Sequence, residues 1–108
     1  MANPWRGEVA LVINGERRLM RLTLGALAEL EAAMGAGSLI DLATRFEDGR
    51  FAARDVLAIL LAGLRACGWR GEAGDLANAE IEGGPAAAAR AAARLLALAF
   101  APPGESSS

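Results

Sequence analysis

The first strong pattern along the chain is an alternation. Residues 7–13 cluster the β-formers Val9, Val12 and Ile13, and Asn14-Gly15 follows at once. Asn-Gly is the strongest short hairpin signal, because both central turn positions need positive φ. A two-residue loop pairs Ile13 with Glu16, Leu11 with Arg18, Val9 with Met20 and Glu8 with Arg21. One face then carries Val9, Leu11, Ile13, Met20 and Leu22, and the other Glu8, Ala10, Val12, Arg17, Leu19 and Arg21. The first face is the more apolar and is predicted to be buried.

The period then lengthens to that of a helix. Thr23 is a good N-cap, with Leu22 placed to staple onto Leu27. The first helix is predicted to bury Leu24, Leu27, Leu30 or the stem of Glu31, and Met34, and to stop at Gly35. Gly35-Ala36-Gly37 forms a break. Ser38 opens a second helix, with Asp41 three residues on as a capping pair. Leu39, Leu42, Ala43 and Phe46 form its apolar stripe, and Asp48-Gly49 ends it. The clearest helix spans 53–67, where Val56, Ile59, Leu60, Gly63, Leu64 and Cys67 follow i, i+3, i+4 spacing. Gly68 stops it, and Trp69-Arg70-Gly71 turns.

Residues 72–82 read as acidic and weakly helical. Gly83-Gly84-Pro85 breaks the chain, with Pro85 suited to the first position of a last helix. That helix ends on Leu95, Leu96, Leu98 and Phe100, and Pro102-Pro103-Gly104 terminates it. The expectation is an α+β, mostly helical single domain over 1–101, with one N-terminal β-hairpin and four or five short helices. A disordered tail is expected over 102–108.

Composition narrows the chemistry more than the fold. The hydrophobic fraction is 54%, much of it alanine, which suits helices packed closely through small side chains. All 11 basic residues are arginine, and the chain contains no lysine, histidine or tyrosine. No imidazole, amine or phenol is therefore on hand for general base or Schiff-base work. The single cysteine rules out an internal disulfide and a multi-cysteine metal site, and points to a reducing cytoplasm. A net charge of −2 argues against nucleic-acid binding, which needs a basic face. Neither a signal peptide nor a run of about 20 apolar residues for a membrane span is visible.

Each candidate for chemistry has a plainer reading. Cys67 lies on an apolar stripe without an activating histidine, so it reads as a small buried hydrophobe rather than a nucleophile. Glu47/Asp48 and Glu80/Glu82 read as solvated charges rather than a catalytic pair. Arg17, Arg18 and Arg21 are balanced by Glu8 and Glu16, and suit a strand edge guarded against aggregation. Gly35-Ala36-Gly37 follows a helix and lacks the lysine of a phosphate-binding loop. An apolar surplus remains. Trp5 and Trp69 lie in or beside turns, and the last helix is apolar around much of its circumference. Core packing accounts for most of it, while docking of a partner segment is the functional alternative. The candidate partner-binding residues are Leu64, Trp69, Leu95, Leu96, Leu98 and Phe100, on the helices after Ala53.

Five elements together carry a family resemblance: Arg6-Gly7-Glu8, Leu22-Thr23-Leu24-Gly25-Ala26-Leu27, Ala36-Gly37-Ser38-Leu39, Arg45-Phe46 and Arg54-Asp55. Over about residues 2–70 the chain resembles the tail assembly chaperones of bacterial gene transfer agents, phage-like particles that package host DNA. The Ala-rich region after Arg70 adds little. The resemblance implies a non-enzymatic protein without cofactor or metal, whose partners are the tape-measure protein and also the tail tube protein. Members of the family are also described as tail tube components retained in the particle. The residues favour the chaperone, because a tube subunit normally needs a β-sandwich and the chain offers one convincing hairpin. Neither nucleic acid nor a membrane is an expected partner, and self-association into a homo-oligomer is left open.

Overall fold

A computed structural model describes residues 7–35 and 37–100. Strands β1 (Glu8–Ile13) and β2 (Glu16–Arg21) pair antiparallel, with Ile13 opposite Glu16, Leu11 opposite Arg18, Val9 opposite Met20 and Glu8 opposite Arg21. The register is the one that alternation and the Asn-Gly turn dictate. Asn14 and Gly15 take φ of 52° and 80°, the left-handed pair that such a tight turn requires. Val9, Leu11, Ile13, Met20 and Leu22 are buried, as their shared face predicts.

Helices α1 (Leu24–Met34), α2 (Ser38–Glu47), α3 (Ala53–Ala66), α4 (Ala73–Ala77) and α5 (Gly84–Ala99) follow. The architecture is α+β. α3 is the central element and packs on β2, α1, α5 and α4. Gly63 lets it lie that close: a Cβ there would sit 3.1 Å from Met20 Cβ and 3.2 Å from Leu95 Cδ1. A mid-helix glycine costs about 1 kcal/mol relative to alanine, and here close approach of three elements offsets it.

The helix starts differ from expectation in instructive ways. Thr23 caps α1 as predicted, its Oγ1 accepting from the Ala26 N–H at 3.1 Å. Leu24 is not buried but 84% exposed. The stripe that meets the core starts at Ala26 and repeats at Leu30, which turns Leu24 to the opposite side of the helix. Ser38 does not cap α2. It is the first helical residue, Gly37 is the N-cap at φ 81°, and no side chain caps the end. The side-chain caps lie one helix later and beyond. Asp55 Oδ2 accepts from the Ala52 N–H at 2.8 Å, and Asp75 Oδ2 from the Glu72 N–H at 2.9 Å.

Asp55 has a second partner, for Arg45 Nη2 donates to its Oδ1 at 3.4 Å. That contact joins α2 to α3, and the stacked rings of Phe46 and Phe51 reinforce the joint with centroids 4.4 Å apart. Arg45-Phe46 and Arg54-Asp55 were two of the elements of the family resemblance. Three of their four residues thus help to fasten one helix to the next.

Residues 78–83 depart most from the sequence reading. In place of a weak helix over 72–82, only the short α4 is helical, and the chain then returns to the hairpin. Ile13 and Ile81 form an isolated antiparallel bridge. Asn14 N–H donates to the Glu80 carbonyl at 2.7 Å and Glu82 N–H to the Val12 carbonyl at 3.0 Å. Asn14 Oδ1 also accepts from the Glu80 N–H at 2.8 Å. The turn residue therefore holds a third segment against β1. Gly83 then takes φ 86° as N-cap of α5, and Pro85 occupies the second helical position rather than the first. Ala88, Ala91, Ala92, Leu95 and Leu96 recur at helical spacing and form the buried face of α5.

Candidate functional site

The six residues expected to bind a partner do not form one surface. Leu64, Leu95 and Leu96 are 0%, 1% and 3% exposed and belong to the core, where they are closed to any partner in this conformation. Trp69 and Leu98 pack half-buried against that core. The Trp69 ring lies over Gly71 and leaves no room there for a Cβ. Phe100, at the C-terminal cap of α5, is 46% exposed. Trp5 lies outside the described residues, as does the expected disordered tail over 102–108.

The polar candidates do not assemble into a reactive centre. Cys67 is an exposed residue just past the end of α3 rather than buried on its stripe, because the helix stops one residue earlier. Partial burial pushes its pKa up, Glu8 adds to the rise and Arg21 opposes it. The thiol is thus less nucleophilic than a free cysteine at neutral pH. Glu47, Asp48, Glu80 and Glu82 are all exposed. Among the described residues no group of His, Cys, Asp or Glu is arranged to hold a metal ion.

Clefts of useful size among the described residues include one of about 320 Å³ between α1 and α3, lined by Thr23, Gly25, Ala26, Glu29, Arg65 and Ala66, and two larger ones. The first of the larger two, about 450 Å³, lies between α2 and α3 and is polar, lined by Ser38, Asp41, Arg45, Arg54 and Asp55 with Met34 and Ala58. The Arg45–Asp55 contact that joins the helices forms part of its lining. The second, about 440 Å³, lies between the first turns of α3, the short α4 and the start of α5. Val56, Leu57 and Leu60 line one wall, Leu76 and Ile81 the other, and Ala88 belongs to the α5 side. None of its lining side chains is polar. All three fall in the ~300–1,000 Å³ range of binding sites. The side chains of the second larger cleft offer apolar contact and shape alone.

Sequence reasoning placed the apolar surplus at the leucine-rich end of α5, and the apolar groove lies at the other end. The available signal was the small-residue run Gly84-Pro85-Ala86-Ala87-Ala88-Ala89, which leaves space where larger side chains would fill it. The matching signal on α3 was Val56-Leu57 beside Leu60, a pair too wide for one buried stripe.

These observations describe a non-local apolar site on a small α+β scaffold. A protein-family model described as phage tail tube protein, GTA-gp10, matches residues 6–102. The chain belongs to the GTA-gp10 phage tail tube protein family. The match runs through the Ala-rich region after Arg70, which carried little of the resemblance, so the whole of α4 and α5 belongs to the family pattern. No curated protein and no solved structure matches the chain. Membership gives a tail-associated protein. Among the described residues, no helix is long and apolar enough to cross a membrane.

Proposed function

We propose that this tail-family protein is a non-enzymatic assembly chaperone that binds the tape-measure protein and keeps it soluble until the tail tube polymerises around it. The observation that carries this reading is the state of the hairpin edges. A subunit that contributes strands to a closed tube must offer sheet edges for its neighbours to pair with. Here the turn end of β1 is already paired to residues 80–82 through Val12, Asn14 and Ile13. β2 bears Arg17, Arg18 and Arg21, charges that discourage a further strand. What the fold leaves open instead is an apolar groove between helices, the kind of surface that shields apolar stripes of a helical partner. Histidine, lysine and tyrosine are missing from the chain, and the groove presents no polar side chain, which supports a role without catalysis.

Co-expression with the tape-measure protein tests the reading. A tape-measure protein that stays in the soluble fraction and co-purifies with the chain supports it. Equal insolubility with and without the chain refutes it. The alternative, a structural tail component retained in the particle, draws its support from the family's description as a tail tube protein. Mass spectrometry of purified particles separates the two: many copies per particle favour the structural part, absence favours the chaperone.

A further inference from the structure

We infer that the groove between α3, α4 and α5 is the tape-measure docking site, and that its occupant is an amphipathic helix whose apolar stripe is flanked on one side by basic residues. The inference rests on the chaperone reading above and assigns to it a place and a charge pattern.

Three observations converge on that occupant. The groove has room for a few leucine-sized side chains and none of its lining side chains is polar. A small metabolite would need some oriented polar groups for specificity, and here it would find none on the side chains. An apolar stripe needs only shape. Second, one wall is charged outside its apolar lining. Residues 71–89 carry Glu72, Asp75, Glu80 and Glu82, all exposed, with no basic residue between Arg70 and Arg90. These carboxylates lie on the segment that contributes Leu76, Ala77, Ala79 and Ile81 to the lining. At physiological ionic strength charges act over about 8 Å, so this wall draws a basic flank and repels an acidic one. Third, a second copy of the chain is a poor occupant. Among the described residues, the exposed large apolar ones are Leu24, Ile40 and Phe100. They sit at the ends of three different helices and make no continuous stripe.

The test uses the full chain and the full-length tape-measure protein. Ala77→Arg puts a long cation at an exposed lining position of the short α4, and Ala53→Arg does so at the exposed first residue of α3. Each should lower tape-measure affinity about tenfold or more, as loss of a central apolar contact does. Ala28→Arg, exposed on α1 outside the groove, should bind as the parent does. Far-ultraviolet circular dichroism melts confirm that each variant is folded. Glu72→Gln with Glu80→Gln and Glu82→Gln should slow association several-fold and flatten its salt dependence. Asp75 is kept because it caps α4.

If the parent binds while both folded groove variants also bind equally well, the groove assignment falls and the chaperone reading stands. A triple glutamine variant with unchanged association overturns the basic-flank assignment. If the groove variants change only the self-association of the chain, a second copy is the occupant and the inference is wrong. A parent chain that fails to bind the tape-measure protein removes the chaperone reading itself, and this inference with it.

Discussion

The two ends of α5 share one helix and have opposite fates. Its C-terminal half carries Leu95 and Leu96, which fill the core against α3 and the hairpin. Its N-terminal half carries alanines, and there the neighbouring elements stand apart around an open apolar groove. Apolar side chains at the first end fill the space between the elements, whereas at the second end the small residues leave a groove between walls that pack against the core from behind. A hydrophobic cluster in a sequence therefore marks where a small domain spends its core. The alanine-rich stretch beside it marks where the packed elements leave a groove.

Substitutions can break this contrast from the filled end first. Leu95→Ala empties a fully packed position, and urea denaturation should show a loss of about 2–5 kcal/mol. Gly63→Val drives methyl groups toward Met20 and Leu95 and should cost about 1–3 kcal/mol by the same measurement. Asn14→Ala should cost a similar or smaller amount, roughly 1–2 kcal/mol. It loses both an easily tolerated left-handed turn residue and the acceptor for the Glu80 N–H. At the open end the expectation reverses. Ala77→Arg should shift stability by no more than about 0.5 kcal/mol, because the site is exposed and no core contact is lost. A large loss of stability from Ala77→Arg, or a negligible one from Leu95→Ala, would erase the distinction between the two ends.

Much of the fold was legible in local pattern. Alternation around Asn14-Gly15 sufficed for the register of both strands, since a slip of one residue would invert every side chain. Thr23 announced its helix. The stripe of α3 was readable up to Leu64, and it misled only at Cys67, where the helix ends before the period does. The misses share a physical cause: they depend on residues distant in the chain. Leu24 continued a plausible stripe, but the side of α1 that is buried is chosen by α3. Ser38 and Asp41 matched a capping pattern, yet the Gly37 conformation places Ser38 already inside the helix. Nothing near Glu80 or Ile81 shows that the backbone there will pair with a hairpin formed more than sixty residues earlier. The groove was illegible for the same reason. It is made of positions from α3, α4 and α5 that meet only in the folded chain, and its α5 side is alanine, which local pattern reads as filler.

Arg45 and Asp55 add a different lesson. Both belonged to elements that carried the family resemblance, and the structure gives them a structural task in joining α2 to α3. Residues that identify a family need not be the residues that meet its partners.

The measurement that most directly tests the account is the solubility of the tape-measure protein when it is expressed alone, with this chain, and with the Ala77→Arg variant. The account predicts an insoluble protein alone, a soluble complex with the parent chain, and a return toward insolubility with the variant. A tape-measure protein no more soluble with the parent chain than without it would contradict the central claim.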